Sequence, residues 1–68
     1  MITDVDLRTL PISIQIAIRD LEQAVADKNQ LAINDEVCEV YGAINGSQHG
    51  DEISKELADF LRAKYLGI

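Results

Sequence analysis

Residues 11–28 read PISIQIAIRDLEQAVADK, and whether that stretch is strand or helix decides the fold. Ile12, Ile14, Ile16 and Ile18 alternate as they would in a strand, whereas Ile14, Ile18, Leu21 and Val25 recur at helical spacing. The helical pattern extends further, takes in Ala17 and Ala24 on the same side, and continues through DLEQAVADK, whose Leu, Glu, Gln, Ala and Lys are good helix formers. Pro11 suits a first helical turn, where its missing N–H would have had no partner. At about 100° per residue, Ile14, Ile18, Leu21 and Val25 form one narrow stripe, while Ile12 and Ile16 fall on nearly the opposite side. A helix apolar all round in its first half has to be covered on two sides, by its own chain or by another molecule.

Upstream, Thr3 and Asp6 have capping-box spacing with Asp in place of Glu, which predicts a short helix over 4–9 offering Val5, Leu7 and Leu10. Proline holds Leu10 extended, so the chain bends there and these three become the nearest side chains able to cover Ile12 and Ile16. Downstream, the main helix is expected to stop near Asn29, with Leu31 to Ile33 as a short apolar patch outside it. Asn34 reads as an N-cap, followed by Asp35 and Glu36 where negative charge favours the helix dipole. Val37, Val40, Tyr41 and Ile44 then recur at i, i+3, i+4, i+7 as far as Asn45-Gly46. In the competing reading, LAI and VCEVYGAI are two strands around Asn34-Asp35. Gly42 weakens both readings; in a helix it costs roughly 1 kcal/mol against Ala and would mark a close helix crossing.

Residues 45–50, NGSQHG, read as the one true loop, and Asp51-Glu52 as the acidic start of a last helix. Ile53, Leu57, Phe60 and Leu61 give that helix an apolar face that Tyr65 can join, Arg62 and Lys64 suit its last turn, and Gly67 supplies the stop. The expected fold is therefore all-α: a single domain over 1–68, a small three-helix bundle with helices near 11–28, 34–44 and 51–65 and room for a short extra N-terminal helix. Its expected core is Ile14, Ile18, Leu21, Val25, Val37, Tyr41, Ile44, Ile53, Leu57 and Phe60.

Sixty-eight residues bury only roughly 60% of the surface of the unfolded chain, so stability is marginal and small folds of this kind lean on disulfides, metals or association. The single cysteine, Cys38, cannot make an internal disulfide and has no Cys or His at metal-ligand spacing, which leaves association as the open route. Twelve acidic against six basic side chains give a net charge of −6, which argues against wrapping nucleic acid. No apolar run approaches the roughly 20 residues that span a bilayer, and MITDVDLRT lacks the basic start of a signal peptide, so a cytoplasmic protein without membrane contact is expected.

Candidate chemistry is sparse. His49 lies between Gln48 and Gly50 with no nucleophile nearby, and reads as a surface residue. Cys38 reads as a small buried or half-buried hydrophobe. Ser47 and Ser54 have no His or Lys placed to activate them. The acidic run Asp35, Glu36 and Glu39 lacks the alternating oxygen ligands and central glycine of a calcium loop. No phosphate loop, paired-cysteine motif or aromatic-plus-basic patch occurs. A non-enzyme with no cofactor, no metal and no catalytic residue is expected.

The stretch from Leu21-Glu22 through Glu36, Val37 and Tyr41 to Ala43, about a third of the chain, is similar in helical pattern to the haemolysin-modulating nucleoid-associated proteins. These act by binding another protein, and the shared positions are mostly aliphatic ones that any helix pair has. The leading expectation is a compact acidic module that binds a larger protein and blocks or recruits it, as phage-type and antitoxin-like regulators do. Its charge would steer it to a basic partner such as the nucleic-acid groove of an enzyme. The candidate interaction residues are Ile12, Ile16, Asp35, Glu36 and Glu39. A second expectation is a self-assembling subunit, with Ile12 and Ile16 forming a homodimer face. A helix-turn-helix DNA reader is opposed by the net charge and by a last helix beginning Asp51-Glu52.

Overall fold

The computed structural model describes residues 2–68; Met1, the first residue of the N-terminal segment read above, lies outside the described residues. Three helices, α1 (Ile12–Ala26), α2 (Gln30–His49) and α3 (Lys55–Leu66), form an all-α bundle after one 3-10 turn at Leu7–Thr9, and no strand occurs among the described residues. The hairpin reading of 31–44 is thereby excluded. The expected helix over 4–9 reduces to that single turn. Asp6 caps it, accepting from the Arg8 N–H at 3.0 Å. Val5, Leu7 and Leu10 do fold back, but onto the core rather than over Ile12 and Ile16.

Pro11 stands at the N-cap of α1, one place outside the first turn expected for it, and its carbonyl accepts from the Ile14 and Gln15 amides at 3.0 and 3.1 Å. The α1 C-terminus is a Schellman turn built on a non-glycine residue. Lys28 takes φ 55, its N–H donates to the Val25 carbonyl at 3.1 Å, and the Asn29 N–H donates to the Ala24 carbonyl at 3.2 Å. This turn sets up the largest departure from the sequence reading. It delivers Asn29 directly to the N-cap of α2, where its Oδ1 accepts from the Ala32 N–H at 3.2 Å. Leu31 to Ile33 become the first turn of α2 instead of a patch outside it. Asn34, the expected cap, lies inside the helix and accepts from Gln30 Nε2 at 2.9 Å. The earlier asparagine wins because starting there lets Ile33 reach the core.

At its other end α2 runs on to His49 with Gly50 as its C-cap, so 45–49 is helix, not loop. A second Schellman turn closes it: Asp51 takes φ 61, its N–H donates to the Gln48 carbonyl at 3.1 Å, and the Glu52 N–H donates to the Ser47 carbonyl at 2.8 Å. Asp51 therefore ends α2 rather than starting α3. The cap of α3 is Ser54, whose Oγ accepts from the Leu57 N–H at 3.1 Å. Gly67, with φ 70, ends the helix as expected.

The longest helix is the hub, since α2 packs against both α1 and α3. The buried cluster is Leu10, Ile14, Ala17, Ile18, Leu21, Val40, Ile44, Ile53, Ala58 and Leu61. Of the expected core, Ile14, Ile18, Leu21, Ile44 and Ile53 are in it, while Val37, Leu57 and Phe60 pack against it half-buried. Val25 and Tyr41 are exposed. Length explains Val25: α3 is about 18 Å long against about 30 Å for α2, so the α1–α2 turn overhangs it and leaves Val25 and Leu31 uncovered. The N-terminal segment is held to the last turn of α3 by Lys64, whose Nζ donates to Asp4 at 3.2 Å and lies over the rings of Phe60 and Tyr65.

Candidate protein-binding groove

On one side of the α1–α2 pair a shallow groove of about 990 Å³ is open to solvent. Its α1 wall is Ser13, Ile16, Ala17 and Asp20, at the i, i+3, i+4, i+7 spacing of one helical stripe. Its α2 wall carries Asp35, Glu36 and Glu39, then the small side chains of Cys38, Gly42 and Ala43. Four of the five candidate residues, Ile16, Asp35, Glu36 and Glu39, are thus brought together although they come from two helices. The fifth, Ile12, sits one turn before Ile16, outside the lining, and both isoleucines are exposed, at 66% and 47%. The sequence reading missed Asp20, Ser13 and Gly42 as groove residues. For Ser13 and Asp20 the signal was the stripe of α1 between the core face and the Ile12 face, which joins the two.

The electrostatics are one-sided. Asp20, Asp35, Glu36 and Glu39 have no cation within ion-pair distance among the described residues, whereas Arg8, Lys55, Arg62 and Lys64 are paired with carboxylates on the N-terminal segment and α3. Because α2 starts at Gln30, Asp35 and Glu36 lie beyond its first turn, and the dipole stabilisation expected for them is lost. Partial desolvation against the groove wall, then the charges of Asp20, Glu39 and Asp35, hold the Glu36 carboxyl above its ordinary range.

A raised folded value means that ionising Glu36 opposes folding once the pH is above both its folded and unfolded values, and contributes nothing below them. Glu36→Gln is therefore expected to raise the melting temperature at about pH 7 and leave it unchanged at about pH 3, with a smaller difference at high salt. Thermal melts of the two proteins under those conditions check it.

Cys38 is exposed in the groove, which corrects its assignment as a small buried or half-buried hydrophobe. His49 is exposed as expected but ends α2, beside Asn45, Gln48, Asp51 and Arg62, so the two do not share a site. Among the described residues no group of three or more His, Cys, Asp or Glu side chains is arranged to hold a metal ion, and no helix is long and apolar enough to cross a membrane. Set against known protein families, curated proteins and solved structures, the chain matches none.

Proposed function

We propose that this protein is a non-catalytic acidic binding module, a regulator or inhibitor of a larger cytoplasmic protein of basic surface, in the manner of phage-type and antitoxin-like regulators. The observation that carries the reading is the α1–α2 groove, where four carboxylates without cationic partners among the described residues flank exposed Ile16. Like charges gathered on one face oppose folding, and a partner's lysines and arginines would relieve that repulsion while speeding encounter. DNA is opposed by the same charges. The net charge of −6 carries that argument, since α3 begins at Ser54-Lys55 and not at Asp51-Glu52.

The test compares capture from cells of the source by the unaltered protein, by Asp35→Lys/Glu39→Lys, and by Glu22→Lys/Asp51→Lys. The last pair makes the same change in net charge outside the groove. A basic protein retained by the first and third baits and lost by the second supports the reading. Equal loss with both variants reduces the effect to net charge, and equal retention moves the binding surface elsewhere.

A second reading, a self-assembling subunit, is favoured by the 66% exposure of Ile12 next to Ile16. It requires a concentration-dependent dimer in sedimentation that Ile12→Asp/Ile16→Asp abolishes. A monomer at high concentration ends that reading.

A further inference from the structure

We infer that the segment received by the α1–α2 groove is an α-helix of the partner, basic at one end and aliphatic at the other, with its closest approach at Gly42. This rests on the groove being the binding surface and adds what fits it. Three observations lead there.

The first is the glycine itself. Gly42 is in the middle of α2 with ordinary helical backbone, and a Cβ built there would meet nothing within 4 Å. Packing within the fold therefore does not require glycine here, nor at Gly46, and of the two only Gly42 lines the groove. A second helix backbone crossing over Gly42 would use a glycine, because interaxial distances of about 8–10 Å depend on the side chains at the contact and the shortest call for small residues. Ser13 and Ala17 opposite, with Cys38 and Ala43 beside it, keep the same strip low.

The second is the order of charge along the groove. Asp20 lies near Glu36, and Asp35 and Glu39 crowd the same end, so the carboxylates gather there. The other end holds Ile16 with Ser13, Gly42 and Ala43, and Ile12 extends its apolar edge by one turn. An occupant complementary to both ends has lysines or arginines at one end and aliphatic side chains at the other.

The third is what the walls cannot bind. Both are α-helices, whose backbone groups are already paired, so an extended peptide finds no strand edge to join. The lining has no aromatic side chain on which a proline-rich segment could pack. Of the recurring modes of peptide recognition, a helix laid in a groove is the one these walls allow. A second copy of the chain does not fit groove to groove, since its groove lining holds no lysine or arginine to meet the four carboxylates and each copy carries a net charge of −6.

The probe is a fluorescent peptide of about 16 residues, about 24 Å of helix, with leucines at helical spacing in one half and lysines at the same spacing in the other. A second peptide has the same charges and leucines but prolines in place of two of the alanines that fill the remaining positions of the first. Binding is read by anisotropy and by amide shifts of the protein in nuclear magnetic resonance. The helical peptide should shift Ser13, Ala17, Gly42 and Ala43, and the proline peptide should bind about tenfold or more weakly, the effect of losing well-packed contacts. Gly42→Leu should weaken the helical peptide by a similar factor and keep the helical dichroism intact. Gly46→Leu, equally open to a new side chain but outside the groove lining, should bind as the unaltered protein does. Equal binding of both peptides, or of Gly42→Leu and Gly46→Leu, overturns the helix and leaves the acidic surface standing. Amide shifts confined to residues outside the groove overturn it as well. So does failure of both peptides while capture remains sensitive to Asp35→Lys/Glu39→Lys, because the groove reading then survives without a helical occupant.

Discussion

Replacing Ile44 or Leu61 by alanine is expected to cost about 2–5 kcal/mol and to leave much of the protein unfolded at 25 °C. Both side chains are fully buried, Ile44 on α2 and Leu61 on α3, within a packed cluster of ten buried residues among those described. A domain of 68 residues has a folding free energy of roughly 3–10 kcal/mol on a per-residue scale, so one such truncation removes a large share of it. The loss should be close to the upper end, since a core this small leaves few neighbours able to shift into the cavity. Leu57, half-buried at the edge of the cluster, should cost less than either. Urea unfolding followed by far-ultraviolet dichroism measures all three. Equal losses at Leu57 and Leu61 would contradict the burial pattern.

Arg62→Ala is expected to cost about 1.5–3 kcal/mol, the range for hydrogen bonds to a charged group that leave partners unpaired. The Arg62 side chain is only 18% exposed. Its Nε and Nη2 donate to Asn45 Oδ1 at 3.2 and 2.7 Å, Nη2 also donates to Gln48 Oε1, and Nη1 meets Asp59 Oδ1 at 3.0 Å. Asn45 and Gln48 lie in the very stretch, NGSQHG, whose composition reads as loop. Clamping their side chains from α3 keeps those turns helical. The variant should therefore do more than lower global stability: amide hydrogen exchange across 46–49 should speed up ahead of the rest of α2. Arg62→Lys should recover little, because an ammonium lacks the planar fork that reaches two acceptors at once. Unchanged exchange across 46–49 in Arg62→Ala would show that the helix continues there without the clamp.

The groove depends on both of these features. Core burial through Ala17, Val40 and Ile44 sets α1 beside α2. Packing of α3 elsewhere on α2, clamped at Asn45 and Gln48, leaves the acidic side of the pair open. Substitutions in the clamp should thus affect stability far more than binding, and substitutions at Asp35 and Glu39 the reverse.

Periodicity by itself determined the all-α class, the course of α1 and half of the core, because Ile14, Ile18 and Leu21 repeat at a spacing only a helix can bury on one side. It also determined that Ile12 and Ile16 could not share that face, and they are exposed. The ends of α2 were decided by tertiary structure. Asn29 and Asn34 are equally good caps as residues, and the choice fell to the one whose helix brings Ile33 onto the core. Asn45, Gly46 and Ser47 are locally poor helix formers, and the helix persists because Ser47 is buried and Arg62 holds its neighbours. The exposure of Val25 followed from the relative lengths of α2 and α3, which no single stripe of residues encodes. The meeting of Asp20 with Asp35, Glu36 and Glu39 was likewise decided only in three dimensions. Each carboxylate is an ordinary solvated side chain on its own helix, and their joint charge exists only once the packing of Ile14, Ala17 and Ile18 has set the two helices side by side.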